Sequence, residues 1–269
     1  MLRARRMNRM NEKLTTTVPG RQRITALYCS VLTREVAYCV ARSRNIITPH
    51  GLPSQLHDLG AEKMRARLQE EIDRLDDGRA DAIALLYGLC NNGVAGLQAR
   101  RVPLVIARAH DCITWLLGSK ERYAEVFRAE PGTYYFTPGW IESPPQTELG
   151  GDTILTQMGM PQLQYDRLVE QYGEDNARYL MEAMAVDTHN YTRYLWIASE
   201  LGDFPEYQET IHQKARADGK RFEVYEGTVS LIQRALDGDW DGGDFTVCPP
   251  GHRLVARPAT TIIEAVKAS

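Results

Sequence analysis

An α/β fold, with mainly parallel sheets flanked by helices, is predicted by three features of the chain. Apolar runs of strand length alternate with helix-patterned segments over about 95 residues from Arg23 onward. The runs are near-continuous, as expected for strands buried on both faces of a parallel sheet. Three of them end just before a cysteine: Ile24–Tyr28 before Cys29, Ile83–Tyr87 before Cys90, and Val102–Ala107 before Cys112. In open α/β sheets the carboxyl ends of the strands form the crevice where ligands bind.

In chain order, Arg23–Cys29 is the first strand and Leu32–Val40 a short helix. Ile46–Leu59 reads as a loop, from the turn signals Thr48-Pro49-His50-Gly51 and Leu52-Pro53-Ser54. Ala61–Leu75 is an amphipathic helix closed by Asp76-Asp77-Gly78. Ala82–Tyr87 is the second strand, Val94–Arg100 a short helix, and Pro103–Arg108 the third strand. A helix follows over Ile113–Leu117, capped by Gly118. Pro131–Trp140 is an aromatic strand between two turns, and Ser143–Gly151 a polar link. Gln162–Glu200 reads as mostly helical, with Tyr191, Tyr194 and Trp196 at helical spacing in its core. Phe204–Ala217 is a helix, Phe222–Tyr225 a strand, Thr228–Leu236 a helix and Phe245–Val247 a last strand. The expected organisation is a disordered leader over 1–22, then an α/β subdomain over 23–150 that carries the cysteine site. A helical plus second α/β portion spans 151–257, and a tail 258–269. There are thus two α/β subdomains with a helical insertion.

Composition narrows the function. A net charge of -3 gives no electrostatic case for nucleic acid or an anionic membrane. No apolar stretch approaches the ~20 residues of a membrane span. Residues before Arg23 lack the apolar core of a secretory signal. An odd number of cysteines, five, in a long chain suits reduced thiols in the cytoplasm. Walker A, GxGxxG, GxSxG and HExxH motifs are absent, which removes support for the chemistries they serve.

Cys29, Cys90 and Cys112 are the candidate metal ligands. Gly88 and Gly93 flank Cys90 and let the backbone turn sharply beside a cofactor. The bland reading of that stretch is a tight strand–helix turn with a packed thiol. In His110-Asp111-Cys112, Asp111 is placed as an N-cap and Cys112 in the first helical turn. A thiol there is expected to feel the helix dipole and ionise more easily. His110 and Asp111 are the candidate catalytic pair, with His110 as acid–base group, ligand or supporting partner. A capping aspartate between an incidental histidine and cysteine is the alternative. Tyr134, Tyr135, Phe136 and Trp140 either wall a pocket, with Tyr134 and Trp140 as cofactor-binding candidates, or pack an edge strand. His57 is a fourth-ligand candidate or a surface residue. Cys39 and Cys248 read as packing residues; His189, His212 and His252 read as structural or solvated. Gly227-Thr228 opens a helix and is either an anion site or an ordinary turn.

Tyr87-Gly88-Leu89-Cys90, Arg108-Ala109-His110-Asp111-Cys112-Ile113, Leu117-Gly118-Ser119 and Pro131–Glu142 occur in that order. With Gly238-Asp239-Trp240 and Pro250-Gly251, this set resembles a bacterial and archaeal family known as domain of unknown function number 1638. The resemblance runs from about Ile24 to Leu254. Asn91-Asn92 departs from it, standing where glycine is more usual. Members are often encoded beside corrinoid-dependent methyltransferases, so the resemblance implies a place in one-carbon metabolism. A corrinoid protein or methyltransferase would then be the partner.

The leading expectation is a cytoplasmic metalloprotein whose three cysteines hold zinc or a [4Fe–4S] cluster, each with one open position. Whether it is an enzyme stays open. One alternative is a metal-free enzyme with Cys112 as nucleophile, His110 as base and Cys90 as a second thiol. The other is an accessory protein that binds a corrinoid or another small molecule without turnover.

Overall fold

The computed structural model describes residues 20–143, except 91, and 191–268, except 242 and 258–260. Its first sheet comprises β1 (Arg23–Cys29), β2 (Ile46–Leu52), β3 (Ala82–Leu86), β4 (Leu104–Ala107) and β8 (Phe245–Cys248). Their order is β2-β1-β3-β4-β8. The first four are parallel and β8 runs antiparallel to β4. Every residue of β3 and β4 is buried, which is why these runs are continuously apolar. From β1 the chain passes through α1 (Thr33–Arg42) to β2 on one side. It then returns through α2 (Ala61–Leu75) to β3 on the other side of β1. The carboxyl ends of β1 and β3 therefore flank the point where strand order reverses, the usual crevice of such sheets.

Two local expectations are corrected here. Ile46–Leu52 is a strand, in register with β1 from Arg23↔Ile46 to Cys29↔Leu52. It lies at the sheet edge, where Pro49 removes no hydrogen bond from an interior ladder. Its residues are mostly half-buried or exposed, so it lacks the apolar signal of β3. The stretch from Val94 to Arg100 is a turn with an isolated bridge, Gln98 to Arg253, and not a helix. Gly96 adopts φ +99° there, outside helical backbone.

After β4 come α3 (Cys112–Leu117) and α4 (Lys120–Ala129), then a second, wholly parallel sheet. It has the order β5-β6-β7, from β5 (Thr133–Phe136), β6 (Arg193–Ala198) and β7 (Arg221–Glu226). Helix α5 (Pro138–Glu142) follows β5, and α6 (Pro205–Ala217) bridges β6 and β7, packing on both. Tyr194 and Trp196 thus lie on a strand, correcting the helical reading. Two residues apart, they share one face of β6 and are both buried. Residues 144–190, which hold His189 and most of the expected helical insertion, lie outside the described residues. So do residues 1–19 of the expected leader. Helix α7 (Ser230–Asp237) buries Leu231, Ile232, Ala235 and Leu236 against α1, β3 and β4 and returns the chain to the first sheet. A hairpin of β9 (His252–Ala256) and β10 (Ile263–Lys267) follows, so the segment expected as a tail contains a strand.

The two sheets also meet at a buried carboxyl. Glu35 of α1 is 3% exposed. Its Oε1 accepts from Ser199 Oγ, just past β6, at 3.3 Å, while Oε2 has no partner among the described residues. Burial pushes this carboxyl above the usual range. The native state then holds the proton more tightly than the unfolded state. The stabilisation is complete below the unfolded value of about 4.3 and is lost as pH rises through the folded value. Glu35→Gln is therefore expected to raise stability by roughly 1–2 kcal/mol at about pH 8 and to have little effect at about pH 4. Urea unfolding at the two pH values checks this; an equal effect at both would contradict it.

Candidate functional site

Cys29, Cys90 and Cys112 line one cavity of about 490 Å³ at the carboxyl ends of β1, β3 and β4. Each arrives by a different local device. Cys29 is the last residue of β1. Cys90 sits in the loop after β3, and that loop is hydrogen-bonded along the one after β4. Leu89 N–H donates to Ala109 O at 2.9 Å and Cys90 N–H to His110 O at 3.0 Å. Gly88 makes the close approach possible: a Cβ there would lie 2.5 Å from the Asp111 backbone. Cys90 has φ +43°, a left-handed conformation uncommon for a residue with a side chain. Such backbone costs on the order of 1–3 kcal/mol and persists only where its surroundings enforce it. Cys112 opens α3, whose N-cap is Asp111.

The second sheet supplies the facing wall. Tyr134 of β5 and Trp140 of α5 both line the cavity. Thr137 caps α5, its Oγ1 accepting from Trp140 N–H at 3.2 Å. A Cβ on Gly139 would lie 1.9 Å from Val31 O, so α5 abuts the turn that follows Cys29. The aromatic block thus forms a pocket wall at Tyr134 and Trp140 and packs into the core at Phe136, which is 1% exposed.

Gly88 and Gly93 are not themselves on the cavity surface. Gly88 admits Asp111, and Gly93 admits Met64 of α2, whose sulfur would stand 2.3 Å from an added Cβ. Their lack of side chains shapes the pocket.

The thiols differ from expectation in their chemistry. Burial pushes Cys29 up to about 11 and Cys90 up to about 12, and the neighbouring Cys29 adds to the rise at Cys90. Burial likewise pushes Cys112 well up; Cys29, Asp111 and Cys90 reinforce the rise, and the nearby Trp140 N–H opposes it. The expected lowering by the helix dipole is overturned. Helix α3 has only six residues, and its N-terminus is already occupied by the Asp111 carboxylate. Burial and mutual proximity both disfavour ionising these thiols, since a thiolate at one raises the cost of a thiolate at the next.

Asp111 and His110 also line the cavity. Asp111 Oδ1 accepts from Ile113 N–H at 3.0 Å, and Oδ2 accepts from Tyr123 Oη at 3.1 Å. Burial raises its pKa, against these hydrogen bonds. His110 is exposed at the mouth, its ring centroid 6.5 Å from that of Tyr123. Sequence reasoning missed Tyr123, one helix downstream of Asp111, and also Ser54 and Tyr87 in the pocket wall. The flanking segments of Ser54 and Tyr87 were read, but a serine after a proline and a tyrosine in an apolar run carry no signal of their own.

Other candidates separate from the site. Cys39, fully buried, donates through Sγ to Val229 O at 3.8 Å, and Cys248 is buried in β8; both are packing residues. His212 stacks on Phe222 at 4.7 Å, and His252 lies 3.2 Å from Pro250 O. The side chain of His57 lies outside the described residues. Among the described residues no three His, Cys, Asp or Glu side chains are set to hold one metal ion. All five cysteines are free of disulfides.

The model of the family described as proteins of unknown function, DUF1638, matches residues 51–236. That is more than half of the chain, and the chain belongs to this family. No curated protein and no solved structure matches it.

Proposed function

We propose that this DUF1638 protein is a cytoplasmic metalloprotein whose Cys29, Cys90 and Cys112 hold an inorganic centre. The observation that carries the reading is that three thiols from three separate strand ends share one cavity. That crevice is where ligands bind in open α/β sheets. Burial keeps each thiol protonated, so only a strong positive charge favours three thiolates together.

The donor set is chemically suited to zinc or to a [4Fe–4S] cluster with one open iron. Three thiolates complete either centre to one open position, and the donor set does not choose between them. The centre would supply redox or Lewis-acid chemistry at its open position. Trp140 N–H, beside Cys112, is placed to donate to that thiolate. His110 at the mouth and the Asp111–Tyr123 pair are placed to move a proton between solvent and the cavity. The resemblance to neighbours of corrinoid-dependent methyltransferases extends the proposal to a supporting role in methyl-transfer metabolism, with a corrinoid protein or methyltransferase as partner. The free volume beside the sulfurs favours a second reading, small-ligand binding without turnover.

The test is anaerobic purification with iron, zinc and acid-labile sulfide analysis. Either iron with sulfide or zinc is expected in the wild type, lost in Cys29→Ala, Cys90→Ala and Cys112→Ala, and kept in Cys39→Ala and Cys248→Ala. Metal content unchanged across the first three variants would overturn the proposal.

A further inference from the structure

The thiol cavity has a lining that selects by charge. Among the described residues no lysine or arginine borders it, and His110 at the mouth is the one basic side chain of the described lining, so an anion entering the metal-free cavity finds little to offset its charge. It would also meet the Asp111 carboxyl. A cation finds a single carboxyl in the described lining, Asp111, which burial inclines toward its neutral form and whose oxygens already each accept one hydrogen bond, from Ile113 N–H and Tyr123 Oη. Most of the remaining wall is apolar, with Leu56 and Met64 on one side and Trp140 on the other.

Two polar groups in that wall are left over. Ser54, just after β2, and Tyr87, just after β3, border the cavity and are each 2% exposed. Neither hydroxyl has a hydrogen-bond partner among the described residues. A buried hydroxyl without a partner costs about 1–3 kcal/mol, and native proteins keep few of them. The two belong to neighbouring loops at the same crevice, beside the thiols, where a guest molecule supplies what the protein does not. A serine hydroxyl turns toward a guest by rotation about its Cα–Cβ bond, whereas the Tyr87 oxygen is held by the ring and only its proton turns toward an acceptor beside it.

We propose that the cavity binds a small uncharged molecule carrying a carbonyl, amide or hydroxyl group. Ser54 and Tyr87 hydrogen-bond its polar end, and Leu56, Met64 and Trp140 enclose its apolar part beside the three cysteines. This rests on the thiol pocket being the working site, and it names the class of substrate that site accepts. Phosphorylated and carboxylate ligands are disfavoured by the same described lining.

The test uses reduced, metal-free protein and three probes of matched size: propionamide, propionate and propylammonium. Each is titrated against alkylation by iodoacetamide at alkaline pH, with every cysteine followed separately by peptide mass. Cys39 and Cys248, outside the cavity, serve as internal controls. Propionamide is expected to slow modification of Cys90 and Cys112 saturably, while propionate and propylammonium leave it unchanged. Ser54→Ala and Tyr87→Phe are each expected to weaken that protection about fivefold, the equivalent of one hydrogen bond. Their Cys39 and Cys248 rates should stay at the wild-type value, which shows that the variants fold. Protection by propionate or propylammonium equal to that by propionamide would overturn the proposal, as would no protection or protection indifferent to both variants. Metal analysis is independent of this result. A protein without metal that is still protected by the amide loses the metal centre and keeps the ligand class, and the converse outcome does the reverse.

Discussion

Replacing Gly139 by alanine is expected to destabilise the protein by about 3 kcal/mol or more and to detach Trp140 from the thiol cavity. The sign is decided by competition between two effects. Gly139 lies in the first turn of α5, and its φ is outside the left-handed region, so backbone conformation does not require glycine. Helix propensity alone would favour alanine by about 1 kcal/mol. Against this, the new methyl would stand 1.9 Å from Val31 O, well inside contact distance, and the obstacle is backbone, not a flexible side chain. Either α5 retreats from the first sheet or the turn after Cys29 shifts. Both move Trp140 away from Cys112. Denaturant unfolding gives the energy, and tryptophan fluorescence gives the displacement. A variant within about 1 kcal/mol of wild type, with unchanged emission, would show that the two segments are not locked.

This contact also shows why only part of the site was legible. Cys29, Cys90 and Cys112 could be found because a chemical type recurs at one topological position, the end of a buried strand. Asp111 could be found because N-capping has a local signature, and its Oδ1 does accept from Ile113 N–H. The facing wall could not be derived in the same way. Trp140 reaches Cys112 only because Gly139 lets one sheet's helix touch the other sheet's loop, a contact between residues far apart in sequence. Tyr123 meets Asp111 across the α3–α4 turn, and nothing in its own neighbourhood announces the pairing. The state of the thiols was misjudged for a related reason. A helix N-terminus is visible in sequence, but depth of burial is a property of the assembled lobes, and burial dominates here.

The fold divides along the same line. β1, β3 and β4 were visible because both faces are buried and the apolar signal is therefore uninterrupted. β2 was not, since an edge strand tolerates Pro49 and Gly51, the residues that otherwise mark turns. The helical reading of β6 rests on the 191–194 spacing, which suits a helix, whereas 194 and 196, two apart, share a face only in a strand. Short apolar segments leave that ambiguity open until pairing partners decide it. The partners here are β5 and β7, on either side in a parallel sheet.

Removing the Arg193 side chain is expected to be nearly as damaging as disturbing Gly139, and it probes that second sheet directly. Arg193 opens β6 and is 6% exposed, an unusual place for an arginine unless its donors are satisfied. Its Nε and Nη2 donate to Thr133 Oγ1 of β5 at 3.0 and 2.7 Å. Nη1 reaches Glu223 Oε2 of β7 at 2.7 Å, and Nη2 the carbonyl of Val126 in α4 at 3.3 Å. One guanidinium therefore fastens all three strands of the sheet and the helix before it. Arg193→Ala would leave a cavity and strip Val126 O and Thr133 Oγ1 of a donor, at an expected cost of about 3–4 kcal/mol. Glu223 is 40% exposed, so Glu223→Ala should cost less than about 1 kcal/mol, as a screened pair does. Arg193→Lys keeps the charge but not the fork and should recover under half of the loss. Urea unfolding of the three variants separates the contributions. If Glu223→Ala matched Arg193→Ala, the ion pair rather than the buried fork would hold the sheet. If Arg193→Lys behaved as wild type, charge alone would suffice and the forked geometry would be irrelevant to stability.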